Sequence, residues 1–80
     1  MDNVQIKICG ITNLEDASMA VDRGANALGF IFAPSPRKIA PQKVRKIVQS
    51  IPPFVKTVGV FFNETLATIR EVMQYCGLDL

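Results

Sequence analysis

The sequence contains no histidine, no tryptophan and only two cysteines among its 80 residues. Without histidine the commonest general base and the commonest metal ligand are missing, so any chemistry must use other groups. Cys9 and Cys76 form no CxxC pair, and a disulfide scaffold of this length normally carries about four cysteines or more. We therefore expect two free thiols and a reducing, cytoplasmic compartment.

Charge and long apolar runs are also scarce. Nine Lys plus Arg against seven Asp plus Glu give a net charge of +2, too weak a field to indicate a nucleic acid or a membrane as partner. No run approaches the roughly 18 apolar residues of a membrane span, and the amino end does not resemble a secretory signal. No GxGxxG or GxxxxGK[ST] pattern indicates a phosphate-binding loop.

The apolar residues that are present predict three strands, each followed by a helix. The first strand alternates apolar and polar residues, and the second is a continuous apolar run, as in a sheet covered on both faces. The predicted strands are Val4–Cys9, Ala27–Phe32 and Phe54–Phe62.

Each predicted strand is followed by residues that are typical of the start of a helix. Either Thr12 with Glu15 or Asn13 with Asp16 has capping-box spacing for the first helix. Pro41 suits the first turn of the second helix, and Asn63 is the predicted cap of the third. Gly24 and Gly77 are predicted to end the first and third helices, and Leu78–Leu80 to begin a fourth strand.

The order βαβαβα predicts an α/β fold with a parallel sheet. The segments 28–32 and 58–62 resemble each other at an offset of thirty residues, about one βα unit, and repeated units favour a barrel. A (βα)8 barrel needs about 200 residues or more. We therefore expect residues 1–80 to be the first three βα units plus the start of strand 4, the amino-terminal part of one barrel domain with no internal boundary.

Cys9 is the first candidate for chemistry, because catalytic groups of such barrels gather at the carboxyl ends of strands. It ends the first strand, shares a face with Lys7 and precedes Gly10, which lets the backbone turn close to a ligand. A nearby cation such as Lys7 would favour the thiolate, the form that acts as a base or nucleophile. The alternatives are a structural cysteine packed as a small hydrophobe and a Lys7 that reaches solvent.

Arg37 is the second candidate. The loop Ala33–Ala40 follows the second strand on the same edge and contains Ser35, Arg37 and Lys38. A guanidinium can hold a carboxylate or phosphate through two parallel hydrogen bonds, whereas Lys38 offers only a point charge. The alternative for Arg37 is a solvated surface charge. Cys76 is predicted to be structural, and no carboxylate is a convincing catalytic acid.

Several segments carry a family resemblance: Lys7-Ile8-Cys9-Gly10-Ile11-Thr12, Gly29-Phe30-Ile31-Phe32, Ser35-Pro36-Arg37, Pro52-Pro53-Phe54-Val55 and Asn63-Glu64. With them the chain strongly resembles the phosphoribosylanthranilate isomerases of tryptophan biosynthesis, over nearly all of its residues. The KICGIT segment is the most specific of these motifs.

The resemblance implies a cofactor-independent Amadori rearrangement of a small-molecule substrate, N-(5-phosphoribosyl)anthranilate, to 1-(2-carboxyphenylamino)-1-deoxyribulose 5-phosphate. It further implies that Cys9 is the general base, that Arg37 engages the anthranilate moiety, and that the general acid is an aspartate beyond Leu80. We therefore expect the isolated 80-residue chain to be inactive. The alternative is a catalytically silent (βα)3 fragment that associates with a second copy of itself or with a complementing carboxyl-terminal fragment.

Overall fold

The computed structural model describes residues 5–80, so Val4, where the predicted first strand begins, lies outside the described residues. Three strands alternate with three helices in the predicted order. The elements are β1 (Lys7–Cys9), α1 (Leu14–Asp22), β2 (Ala27–Ile31), α2 (Pro41–Ser50), β3 (Lys56–Val60) and α3 (Leu66–Cys76).

The three strands form one parallel sheet in the order β1-β2-β3, which confirms the predicted parallel βα units. Cys9 pairs with Gly29, and Gly29 pairs with Val58. Because side chains alternate along a strand, this register places Cys9, Gly29 and Val58 in one row on one face of the sheet. The helices cover the opposite face, where Leu28 and Phe30 are fully buried.

Each strand is shorter than predicted, because turns hold the chain at the strand ends. Ile6 bonds to Asn26 through both its N–H and its carbonyl, which ends the ladder of β1 before Lys7. The Val55 N–H donates to the Pro52 carbonyl at 3.1 Å, so residues 52–55 form a turn ahead of β3. Apolar pattern alone does not distinguish such turn residues from strand residues.

The helix caps confirm one prediction and correct another. Asn13 caps α1, and its Oδ1 accepts from the Asp16 N–H at 2.8 Å. The predicted Asn63 cap of α3 is wrong: Asn63 has φ 57°, and Thr65 caps the helix by accepting from the Thr68 N–H at 3.2 Å. Gly77 ends α3 in the left-handed region as predicted, with φ 75°.

The predicted fourth strand is not assigned as a strand, but its hydrogen bonds continue the sheet. The Leu80 N–H donates to the Thr57 carbonyl at 3.1 Å, and the Gly59 N–H donates to the Leu80 carbonyl at 2.9 Å. This is the bonding of a parallel pair between Leu80 and Val58. The chain thus begins to add to the edge of β3 that β2 does not occupy.

The helices between residues 5 and 80 are 9 to 11 residues long, and none is long and apolar enough to cross a membrane.

Candidate functional site

The turn after β1 is fixed to the neighbouring strand by a single carbonyl group. The Gly29 carbonyl accepts from the Gly10 N–H at 3.0 Å and from the Ile11 N–H at 3.1 Å. Gly10 has φ 86°, a conformation that residues with a Cβ rarely adopt. The chain therefore leaves β1 sharply at the carboxyl edge of the sheet, directly after Cys9.

Cys9 lies at that edge with an exposed, free thiol. Its register partner Gly29 carries no side chain, so the thiol lies against the backbone of β2. Cys76, in contrast, is 2% exposed, and its thiol donates to the Pro41 carbonyl at 3.4 Å. Burial raises the pKa of Cys76, partly offset by the charge of Arg45. The predicted structural role of Cys76 fits this position.

Arg37 lies in a loop that folds back onto β2. The Ser35 hydroxyl accepts from the Arg37 N–H at 3.1 Å, and the Ser35 carbonyl accepts from the Lys38 N–H at the same distance. The Ile39 N–H then donates to the Ile31 carbonyl at 3.0 Å. These bonds direct the Arg37 side chain over Gly10, one residue after the thiol.

Cys9 and Arg37 line the same cavity of about 280 Å³ at the free edge of β1. Ile6, Ile8 and Met19 give the cavity an aliphatic wall, and Asp16 and Arg23 add charged groups. Ile6 and Ile8 alternate with Cys9 along the strand, so that wall belongs to the helix-covered side of the sheet. The structure thus brings together the two predicted site residues, which are separated by 28 positions in the sequence. A thiol that can act as a base and a guanidinium that can bind a carboxylate meet at one edge.

Comparison with known proteins decides the family. Residues 6–80 match the sequence model of N-(5'-phosphoribosyl)anthranilate isomerase. The chain belongs to this family. It is 53% identical to the N-(5'-phosphoribosyl)anthranilate isomerase of Pelobacter propionicus over 78 residues, which are 96% of this chain and 37% of that protein. The chain thus spans little more than a third of the length of the curated relatives that it matches.

Solved structures of the family have the same fold over this segment. One is a phosphoribosylanthranilate isomerase in complex with reduced 1-(o-carboxyphenylamino)-1-deoxyribulose 5-phosphate, at 53% identity and a TM-score of 0.91, covering 94% of this chain and 39% of that one. Another shows monomers generated from the dimeric isomerase of Thermotoga maritima, at 49% identity and a TM-score of 0.88, covering 94% and 38%.

Two lysine side chains are a second feature of the open face, which is the face of the sheet that the helices do not cover. They lie one step towards the amino ends of the strands from Cys9. Lys7 pairs with Ala27, and Ala27 pairs with Lys56, so two exposed lysines flank one small residue at the same level of the sheet. Both line a second cavity, together with Val58 and Leu80. The prediction that Lys7 favours the Cys9 thiolate stays a prediction.

Gly29 is the site residue that sequence reasoning missed. It supports the turn after β1 through its carbonyl and lies against the Cys9 thiol. A glycine inside a strand commonly marks a close approach of another group, and that signal was present in the second apolar run. Between residues 5 and 80, no three His, Cys, Asp or Glu side chains cluster as a metal site would require.

Proposed function

We propose that the chain is part of an enzyme that isomerises N-(5-phosphoribosyl)anthranilate to 1-(2-carboxyphenylamino)-1-deoxyribulose 5-phosphate in tryptophan biosynthesis. The observation that carries this proposal is the meeting of Cys9 and Arg37 at the carboxyl edge of two neighbouring parallel strands. Family membership supports it, as does the related enzyme solved with a reduced form of that product. The reaction needs no cofactor, because the sugar carbons exchange oxidation states internally.

In this proposal residues 1–80 are the amino-terminal part of one (βα)8-barrel domain. They supply three βα units and the first residues of strand 4. The pairing of Leu80 with β3 supports this, because the next strand of a barrel would lie there. The remaining strands would cover the exposed face that carries Cys9.

Cys9 is the proposed general base. As a thiolate it removes the proton from C2 of the ring-opened imine, which gives an enolamine that becomes the ketone. Arg37 binds the anthranilate carboxylate through two parallel hydrogen bonds from its guanidinium and holds the substrate beside the thiol. We assign the general acid that opens the furanose ring to an aspartate beyond Leu80, as the family resemblance implies.

The proposed chemistry also fits the partners and compartment that we expect. A free Cys9 thiol acts as a base only where it stays reduced, which favours the cytoplasm. A second copy is a further proposed partner, because a related isomerase is dimeric. The silent-fragment alternative rests on the exposed face of the sheet, which would have to be covered by another chain.

The test replaces each cysteine in turn in the complete enzyme. We expect Cys9→Ala to lower kcat by a factor of about 10² or more, because a positioned general base contributes that much. Cys76→Ala is the matched control, since Cys76 is buried between α2 and α3 and away from Arg37. Conversion of N-(5-phosphoribosyl)anthranilate is followed by chromatography. A normal rate for Cys9→Ala would overturn the base assignment, and no turnover by the unmodified enzyme would favour the silent fragment.

A further inference from the structure

We propose that Gly29 and Gly10 are positioning residues, one for the Cys9 thiol and one for the Arg37 guanidinium. Each glycine leaves open the space that a functional side chain occupies. The kinetic part of this inference rests on the proposed isomerase function, and the structural part does not.

Gly29 lies under the thiol. A Cβ added there would be 2.9 Å from the Cys9 Sγ, 3.2 Å from its Cα and 3.3 Å from its Cβ, so the sulfur is the nearest atom. Carbon atoms in contact normally lie about 3.5–4.0 Å apart, so a methyl group and the thiol cannot both keep their places. Gly29 does not have a positive φ, so alanine adds no φ strain at this position, in contrast to Gly10. The effect of Gly29→Ala should come from the methyl group alone.

Gly10 plays the same part for Arg37. A Cβ at Gly10 would be 2.8 Å from the Arg37 Cδ and 3.5 Å from its Nη1. The arginine side chain is flexible, so a methyl group would push the guanidinium aside rather than unfold the turn. Gly10 also has φ 86°, so Gly10→Ala adds backbone strain to this displacement.

The two glycines form one unit, because the Gly29 carbonyl accepts from the Gly10 N–H. Because Cys9 ends β1 and Arg37 follows β2, a movement of β2 against β1 would change the position of the guanidinium relative to the thiol. Efficient proton transfer requires the base and the bound substrate to be held in place to better than about 1 Å, so both contacts matter to the proposed reaction.

The chain offers a matched control for each variant. Gly24 has φ 94° with nothing within 4 Å of an added Cβ, so Gly24→Ala reports backbone strain without displacing Arg37. Gly59 occupies the position thirty residues after Gly29, and its added Cβ would meet the Phe61 ring at 2.8 Å instead of a thiol. Gly59→Ala therefore reports the cost of a methyl group in a strand.

The first measurement is the rate at which iodoacetamide alkylates Cys9 in the complete protein, with Cys76 counted separately by mass spectrometry. We expect Gly29→Ala to change this rate by about threefold or more, because exposure of the thiol changes, and Gly59→Ala to leave it unchanged. Equal rates in the two variants would overturn the proposal, whether or not the protein is an isomerase.

The second measurement separates the effect of each variant on kcat from its effect on KM. We expect Gly29→Ala to lower kcat by about 10-fold to 100-fold with little change in KM, because it displaces the base. Gly10→Ala should mainly raise KM, and Gly24→Ala should change neither. Equal effects of Gly10→Ala and Gly24→Ala on KM would overturn the role of Gly10. An inactive parent enzyme would contradict the proposed function alone.

A double variant covers the case in which Gly29→Ala does not fold. Cys9→Ala removes the Sγ that the new methyl group would meet at 2.9 Å. We therefore expect the Cys9→Ala/Gly29→Ala protein to melt at a higher temperature than Gly29→Ala alone. If the thiol is not what the methyl group displaces, the two proteins will melt together or both remain unfolded, and the proposal is wrong.

Discussion

The two faces of β2 serve different purposes. Leu28 and Phe30 point to the helices and are 0% exposed, whereas Ala27, Gly29 and Ile31 point to the open face. The buried pair belongs to the core that α1 and α2 complete, and the open face carries the groups beside Cys9. Alternate residues of one strand thus hold the fold together and line the candidate site, so the two properties can be changed separately.

The side chains on the open face form rows across the three strands, and each row is called a level here. The level of Cys9, Gly29 and Val58 lies nearer the carboxyl edge, and the level of Lys7, Ala27 and Lys56 lies below it. Two ammonium groups enclosed in a barrel would each need a hydrogen-bonding or charged partner. In the proposed barrel, the strands that cover this face must therefore bring acceptors, carboxylates above all, to the level of Lys7 and Lys56.

The largest expected effect comes from the covered face. Phe30→Ala should lower the free energy of unfolding by about 3–5 kcal/mol, because it removes a fully buried ring and leaves a cavity. Cys9→Ala on the open face should cost less than about 1 kcal/mol. Urea denaturation followed by circular dichroism measures both. Similar losses in the two variants would mean that the two faces do not divide stability from chemistry.

The next effect concerns Thr57, a polar residue that is 3% exposed on the covered face. The Asp79 carboxylate accepts from the Thr57 N–H at 2.9 Å and from its hydroxyl at 3.2 Å. Asp79→Ala leaves both donors without this acceptor, which should cost about 1–3 kcal/mol.

Asp22→Ala is the control for Asp79→Ala. Asp22 is exposed in the last turn of α1, where a carboxylate gains nothing from the helix dipole. Its removal should change the free energy of unfolding by no more than about 0.5 kcal/mol in urea denaturation. If Asp79→Ala is equally mild, water replaces the carboxylate and the bonds to Thr57 do not anchor the end of the chain.

Local signals were enough to predict most of the fold. The alternation around Ile8, the Asn13 cap and the Gly77 stop each act within a few residues, so sequence spacing reveals them. The Asn63 cap was wrong because Asn63 has φ 57° and the helix begins two residues later than predicted, where the Thr65 hydroxyl accepts from the Thr68 N–H.

The sequence predicted less of the candidate site than of the fold. Cys9 and Arg37 could be predicted as candidates because strand ends and loop arginines can be recognised one at a time. Their position at one cavity, with Gly10 against Arg37 and Gly29 against Cys9, depends on the register of β1 against β2. Register is a relation between distant segments, and a change of one residue would turn Gly29 to the other face.

The smallest expected effect is the dependence of stability on pH that the buried Cys76 thiol causes. Burial raises the pKa of Cys76 in the folded state, so folding favours its protonated form. Its contribution to stability is complete below the unfolded thiol pKa of about 8.5 and is lost as pH rises through the folded value. The free energy of unfolding should therefore fall more steeply above about pH 8.5 in the parent protein than in Cys76→Ala, by less than about 1.4 kcal/mol per pH unit.

Urea denaturation between about pH 7 and pH 10 measures that difference, and the comparison with Cys76→Ala cancels the other groups that titrate there. Parallel curves for the parent and Cys76→Ala would show that the buried thiol ionises as readily in the fold as in the unfolded chain. The burial of Cys76 would then not favour the protonated thiol in the folded protein.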